Sequence, residues 1–278
     1  MDHYAVFGNP IKHSRSPWIH AQFAAQTGVE LEYRAQEVDP AQFEQQVLAF
    51  FASGGAGLNI TVPFKERAHD LAQVRSEAAT VAGAVNTLYQ GADGRLVGDN
   101  TDGVGMLRDI LQNKGVLRQR RILVVGAGGA VRGVLPNLLA ERPAELVIVN
   151  RTAERASALA ARFRDLGPVR GGGFELLSDA AGMLPFDWVI NGTSAGLGGG
   201  LPPLPDNVIS PRSWGYDMVY GQGQTVFQQW CRNHGAEKAL DGLGMLVEQA
   251  AEAFYLWRGV RPQTAPVIAT LRQKLAEG

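Results

Sequence analysis

The sequence predicts an α/β fold in two domains, and three observations lead to it. Apolar runs of strand length alternate with segments of helical spacing along most of the chain, which implies mostly parallel sheets. At 278 residues the chain exceeds the size at which a single core usually stops growing. Near its middle, the apolar run Arg121-Ile-Leu-Val-Val125 leads directly into Gly126-Ala-Gly-Gly-Ala130, a strand-to-helix turn of the kind that carries a dinucleotide.

From the N-terminus, Tyr4-Ala-Val-Phe-Gly8 is a short strand ending in a glycine turn, and Ile19, Phe23 and Ala24 after Pro17 have helical spacing. Glu32 to Val38 reads as extended, Phe43 to Phe51 as an amphipathic helix, and Gly57-Leu-Asn-Ile-Thr-Val62 as a strand closed by Pro63. Ala84-Val-Asn-Thr-Leu-Tyr89 is a further strand before the turn Gly91-Ala-Asp-Gly94. A helix opening near Thr101 or Asp102 is the natural crossing to the second domain, which places Asp102 at the junction. Beyond the glycine turn come a strand at Glu145 to Val149, an alanine-rich helix, Trp188 to Ile190, a glycine and proline loop at Gly196 to Pro205, and the strand Trp214 to Tyr220. Leu243 to Trp257 and Pro266 to Leu275 read as helices packing back on the first domain. The predicted division is 1–101 for a substrate-binding domain, 102–237 for the dinucleotide-binding domain and 238–278 for the returning helices.

Glycines at 126, 128 and 129 let the backbone approach a pyrophosphate and hand it to the positive N-terminus of the helix that starts near Ala130. A tight turn alone would need similar glycines. The two flanking strands and the apolar helix Val134-Leu135-Pro136-Asn137-Leu138-Leu139 extend the match to a whole Rossmann-like half. An NAD site would set a carboxylate on the ribose 2′-hydroxyl at the end of the second strand. This chain has Asn150-Arg151-Thr152 there, with Arg155 one helical turn later. A guanidinium suits a 2′-phosphate that a carboxylate would repel, so the expected cofactor is NADP. A solvated helix start is the competing reading of the two arginines.

Composition narrows the classes. A net charge of −1 gives no general pull toward nucleic acid or an anionic membrane, and the expected partners are small molecules. The lone Cys231 excludes an intrachain disulfide and a cysteine-rich metal site, and the histidines at 3, 13, 20, 69 and 234 lack metal-ligand spacing, so no metal is expected. Met1-Asp2-His3-Tyr4 lacks the parts of a signal peptide and no run reaches the ~18 apolar residues of a membrane span, so the expected address is the cytoplasm. Ser194 has no nucleophile-elbow context, and Trp18, Trp188, Trp214, Trp230 and Trp257 are too scattered for a base-stacking platform. A homodimer stays open, because nothing in the sequence specifies an oligomeric state.

Two segments offer chemistry. Ser14 and Ser16 lie two residues apart before Pro17, where hydroxyls and free helix amides could hold a carboxylate, or where Ser16 could simply cap the helix. In Asn59-Ile-Thr61-Val-Pro63-Phe-Lys65, alternation turns Asn59 and Thr61 to one face, and Pro63 ends the strand so that Lys65 emerges at its carboxyl end, the ligand side of an α/β sheet. A solvated lysine is the bland alternative. Asn86 and Asp102 add an amide and a carboxylate, a set suited to a substrate with several hydroxyls.

At this point the motifs resemble one family over essentially the whole chain. Ser14-x-Ser16-Pro17, Asn59-x-Thr61-x-Pro63-x-Lys65, Gly83-Ala-Val-Asn86-Thr87, Gly98-Asp-Asn100-Thr-Asp102-Gly103, Gly126-Ala-Gly-Gly-Ala130, Asn150-Arg151-Thr152, Tyr216-Asp-Met218-Val-Tyr220 and Asp241-Gly242-Leu-Gly-Met-Leu-Val-Glu-Gln249 are similar to those of shikimate dehydrogenases, in the same order. The resemblance implies NADP-dependent reduction of 3-dehydroshikimate to shikimate, on the route to chorismate and the aromatic amino acids. It implies that Ser14, Ser16 and Tyr220 bind the substrate carboxylate, that Thr61, Asn86, Asp102 and Gln249 hold its hydroxyls, and that Lys65 is the acid/base with Asp102 beside it. Gly126, Gly128, Gly129 and Ala130 would receive the pyrophosphate, Asn150, Arg151, Thr152 and Arg155 the 2′-phosphate, and Met218 with Gly242 would lie against the nicotinamide. Two positions depart from the pattern: Ala21 stands where an asparagine is expected after His20, and Val131 where a small residue such as serine is expected after the glycine turn. The competing functions are a quinate- or NAD-using relative of the same fold, with Arg151 speaking against NAD and Ser14 and Ser16 for shikimate, and a non-catalytic NADP sensor, which would not need Lys65 and Asp102 together.

Overall fold

The computed structural model describes residues 1–177, 184–193, 195 and 200–277; Ser194 and the first part of the loop after it lie outside the described residues. Among the described residues, strands form two six-stranded sheets, and the chain divides into two compact units, Met1–Gly105 with Leu246–Ala269, and Met106–Met245 with Thr270–Gly278.

In the first unit, strand β1 (Asp2–Gly8) pairs in parallel with β2 (Leu31–Glu37) on one side and β3 (Gly55–Ile60) on the other. Tyr4, Ala5, Val6 and Phe7 are all buried, so this strand is covered on both faces, which explains its unbroken apolar run. Beyond β4 (Val74–Arg75), strands β5 (Thr87–Gln90) and β6 (Leu96–Asp99) form a hairpin closed at Gly91 to Gly94, where Gly94 takes φ +77°. That tight turn obliges antiparallel pairing, so the sheet, in order β2-β1-β3-β5-β6-β4, is mixed, with β3 and β5 also antiparallel. Helices α1 (Ser16–Thr27), α2 (Phe43–Ala52), α3 (Lys65–Leu71) and α4 (Glu77–Ala82) connect these strands. On one side, Phe7, Phe43, Val47, Leu58, Ile60 and Phe64 share a core; on the other, Trp257 packs on Tyr4 at 4.8 Å between centroids and fills the space where a Cβ on Gly57 would stand.

The second unit holds β7 (Arg121–Val125), β8 (Glu145–Val149), β9 (Val169–Gly172), β10 (Trp188–Asn191), β11 (Trp214–Asp217) and β12 (Lys238–Leu240). All pairings are parallel in the order β12-β11-β10-β7-β8-β9. Strand order reverses between β7 and β10, the switch point at which open α/β sheets bind ligands. Helices α6 (Gly129–Ala140), α7 (Ala153–Phe163) and α8 (Val226–Asn233) belong to this unit. Lys238–Leu240, read from the sequence as part of the returning segment, is the edge strand here.

Among the described residues, three helices have residues assigned to both units. Helix α5 (Asp102–Gln112) begins in the first and ends in the second. Helix α9 (Leu243–Arg258) lies in the first from Leu246 onward, and α10 (Ala265–Glu277) returns to the second at Thr270. Arg272 accounts for that last return, because its guanidinium donates to both oxygens of the buried Asp241, each at 2.7 Å. No described helix is long and apolar enough to cross a membrane, and no group of three or more potential metal ligands occurs among the described residues.

His20 is fully buried, stacked on Tyr33 at 4.1 Å and edge-on to Phe23 at 5.9 Å. Burial pushes its pKa down to about 3, with the Asn59 side chain partly offsetting it. The unfolded chain therefore takes up a proton near pH ~6.5 that the folded chain refuses, and stability falls as pH drops from there toward about 3. His20→Phe is expected to lose about 2–3 kcal/mol less than the parent between pH 7 and 4.5, read from urea midpoints at the two pH values.

Candidate functional site

The first unit builds a polar cluster around Asn86, which precedes β5 rather than lying in it as its sequence predicts. The Asn86 amide donates to Asp102 Oδ1 at 2.8 Å and to the Thr101 hydroxyl at 3.0 Å, while its oxygen accepts from the Thr101 amide and the Thr87 hydroxyl, both at 2.9 Å. The other Asp102 oxygen meets Lys65 Nζ at 2.5 Å. Lys65 is 16% exposed and Asp102 7% at their side chains, so this is a largely desolvated ion pair. Gln249, from α9, sits at the edge, with Oε1 3.5 Å from both the Asn86 amide and the Thr101 hydroxyl.

Local chemistry explains why Lys65 is there. Strand β3 ends at Ile60, Phe64 accepts no role in capping and instead buries its ring, and Lys65 opens α3. Phe64 stacks on Phe43 with centroids 4.5 Å apart and planes 8° from parallel. The Arg67 guanidinium lies 5.2 Å and 5.8 Å from these two rings and donates to Glu44 at 2.7 Å, clamping the turn that carries Lys65.

Ser16 is the first helical residue of α1, and Arg15 occupies the cap position, so the capping role open to Ser16 is overturned. The Ser16 hydroxyl instead faces the Tyr33 phenol, whose pKa burial raises well above its ordinary value. Tyr33 donates to Asn59 Oδ1 at 2.7 Å, and the Asn59 amide reaches the Asn86 carbonyl and the Thr87 hydroxyl at 3.2 Å each. A continuous buried chain thus runs from Ser16 to Lys65. Tyr33, Thr87 and Thr101 are the members to which sequence reasoning gave no role; Thr87 and Thr101 carried a signal in their places beside Asn86 and Asp102, and Tyr33 carried none. Ser14 is half-buried, with its hydroxyl 3.3 Å from the Ser16 amide, and Thr61 is half-buried at the end of β3, its methyl filling the space beside Gly8.

The second unit carries the dinucleotide residues. Gly126 has φ +111°, a conformation that excludes side chains, and lies where a Cβ would meet the Gly192 carbonyl at 3.1 Å. A Cβ on Gly128 or Gly129 would meet nothing within 4 Å, and α6 starts at Gly129 with no side chain capping it. Open space in front of uncapped helix amides fits a pyrophosphate. Ala130 follows in the first turn of α6, and Val131 turns inward, fully buried against Gly192. At the end of β8, Asn150 donates to the Thr152 carbonyl at 2.9 Å, and Thr152 is the uncapped N-cap of α7. Arg151 and Arg155 are exposed, and neither is ion-paired among the described residues, which fits a bound 2′-phosphate. Met218 and Tyr220 follow β11 half-buried, and Gly242 lies where a Cβ would strike the Met218 carbonyl at 2.3 Å. Ala21 is exposed on α1.

A parallel sheet with a glycine cradle at its switch point, together with a unit that holds a desolvated lysine and carboxylate, defines a two-domain dinucleotide-dependent dehydrogenase. Residues 6–88 match the shikimate dehydrogenase substrate binding domain, 109–184 match shikimate/quinate 5-dehydrogenase, and 242–272 match the shikimate 5′-dehydrogenase C-terminal domain. A shikimate dehydrogenase (NADP(+)) of Alkalilimnicola ehrlichii is 60% identical over 98% of each chain. The crystal structure of an Ael1 enzyme from Pseudomonas putida superposes with a TM-score of 0.89 at 48% identity over 98% of each chain. Shikimate 5-dehydrogenase from Thermus thermophilus, solved with NADP(H) and shikimate, gives a TM-score of 0.88 at 33% identity, covering 99% of this chain and all of the other. The chain belongs to the shikimate dehydrogenase family.

Gly105 packs against Gln249, where a Cβ would stand 2.7 Å from its backbone nitrogen and 2.9 Å from its Cα. Gly105→Ala is expected to push Gln249 away from Asn86 and to cost about 1–3 kcal/mol, read as a lowered thermal midpoint with weakened substrate binding.

Proposed function

We propose that this chain reduces 3-dehydroshikimate to shikimate with NADPH, and that Lys65 supplies the proton. The observation that carries the reading is the Lys65 Nζ to Asp102 Oδ2 contact of 2.5 Å, with Asn86 bonded to the other carboxylate oxygen. The family and the NADP dependence named for relatives support it.

When bound, NADPH supplies a hydride to the carbonyl carbon. The remaining work falls to the chain. A lysine ammonium beside the carbonyl oxygen donates a proton as that oxygen gains charge. Asp102 fixes where the ammonium points, and Asn86 fixes Asp102, so the donor is positioned before substrate arrives. Ser14, Ser16 and Tyr220 are proposed to bind the substrate carboxylate, and Thr61, Asn86, Asp102 and Gln249 its hydroxyls. On the second unit, Gly126, Gly128, Gly129 and Ala130 hold the pyrophosphate, Asn150, Arg151, Thr152 and Arg155 the 2′-phosphate, and Met218 and Gly242 the nicotinamide. The 1–101 and 102–237 divisions and a cytoplasmic address belong to this proposal; of the third segment, 238–278, only Leu246–Ala269 is kept with the substrate-binding part, because Lys238–Met245 and Thr270–Gly278 fall in the second unit.

Initial rates with shikimate and quinate crossed against NADP⁺ and NAD⁺ test the whole reading: shikimate with NADP⁺ is expected to lead, and a lead by quinate or NAD⁺ reassigns the substrate or cofactor. Lys65→Ala is expected to lower kcat by about 10²–10⁴-fold, with a much smaller change in shikimate affinity by calorimetry; a loss confined to affinity makes Lys65 a substrate clamp instead. Arg151→Ala is expected to raise KM for NADP⁺ by about 10- to 100-fold, the worth of a charge-assisted hydrogen bond, and to leave KM for NAD⁺ unchanged in the same steady-state assay.

A further inference from the structure

Two buried polar side chains at the carboxyl ends of adjacent strands are not used in the mechanism above. Asn191 ends β10 and Asp217 ends β11, directly opposite each other in the parallel register, and they are 1% and 0% exposed. The Asn191 amide donates to Asp217 Oδ1 at 2.9 Å, and the same oxygen accepts the Val219 amide at 3.1 Å. The Asn191 oxygen accepts both the Thr193 amide, at 3.1 Å, and the Thr193 hydroxyl, at 2.7 Å. Each side chain therefore holds the residue two places after it, and the bond between them ties the two strand ends together. The backbone repeats the tie, since the Met218 amide donates to the Asn191 carbonyl at 2.9 Å. Between the loops, Met218 Sδ stands 3.2 Å from the position of a Cβ on Gly192, and the Gly242 amide donates to the Val219 carbonyl at 3.1 Å.

We propose that Asn191 and Asp217 are positioning residues that set the nicotinamide-facing surface of Met218, Gly192 and Gly242 by locking Gly192 and Thr193 after β10 and Met218 and Val219 after β11 into one arrangement. The inference rests on the reading of Met218 and Gly242 as nicotinamide neighbours. Buried amides and carboxylates are costly to leave unpaired, so the sheet alone gives no reason to place two of them at this point. Burial holds the Asp217 carboxyl above its ordinary pKa, against the Thr225 hydroxyl, the Val219 amide and the Asn191 amide, which pull it down. The two bonds at Oδ1, from the Asn191 and Val219 amides, are the ones the pair depends on, and an uncharged amide at 217 could accept both through its oxygen.

The test separates the two ends of the cofactor. In the full chain, Asp217→Ala is expected to weaken NADP⁺ binding at least tenfold and to lower kcat, while the affinity for adenosine 2′,5′-bisphosphate, which lacks the nicotinamide half, stays within twofold. Asp217→Asn, which keeps the acceptor, is expected to restore NADP⁺ binding to near the parent value. Thr193→Val removes a single hydroxyl donor without loss of volume, and serves should Asp217→Ala fail to fold; it is expected to weaken NADP⁺ severalfold and the bisphosphate not at all. Equal losses for both ligands, unchanged binding of both, or a failure of Asp217→Asn to rescue would overturn the proposal. Met218→Ala tells the two readings apart. If it leaves NADP⁺ affinity and kcat unchanged, the nicotinamide assignment falls; if it impairs them while Asp217→Ala does not, only the positioning role falls.

Discussion

A charged lysine and a charged carboxylate withdrawn from water place the strictest demand on this structure. Desolvating each ion costs several kcal/mol, and mutual attraction offsets that only when the remaining lone pairs and protons are also satisfied. The fold meets the condition at Asp102, where one oxygen takes Lys65 and the other takes the Asn86 amide. Asn86 is in turn held at both its oxygen and its nitrogen by residues from the hairpin and the start of α5. The stacked Phe43 and Phe64 beneath Arg67 fix the other partner. A single misplaced member would leave a buried charge exposed to its own desolvation penalty, so the geometry of this pair is one the fold itself requires.

The second unit solves a different problem, which is to bring backbone close to an anion. Its glycines do so in separate ways. Gly126 supplies a backbone angle that other residues adopt only under strain, Gly128 and Gly129 leave space open before the helix amides, and Gly192 and Gly242 let neighbouring loops touch. Val131 shows how tightly these are coupled. The residue that departs from the expected small side chain is turned into the core, and its methyl occupies the volume that Gly192 leaves vacant.

Much of this was legible in the chain itself. The period-2 and 3.6 patterns and the glycine turn located the dinucleotide unit, because these signals are local and each reflects a backbone requirement within a few residues. The antiparallel hairpin was half visible: Gly91 to Gly94 announced the turn that reverses β6 against β5, while nothing local marked β5 as running antiparallel to β3. The edge strand at Lys238–Leu240 was not visible, because three residues carry no period and pairing with β11 alone makes them a strand.

Composition and short-range spacing were enough for the fold class, the dinucleotide unit and the residue types available for chemistry. Long-range packing was needed to bring Lys65 to Asp102, to set Asn86 rather than solvent against the pair, and to continue the network through Asn59 and Tyr33 to Ser16. It also decided that Asn191 and Asp217 face each other. These pairs are separated by tens of residues, and no local preference selects them; they form because the sheet's register brings strand ends together and buried polar groups must find partners there.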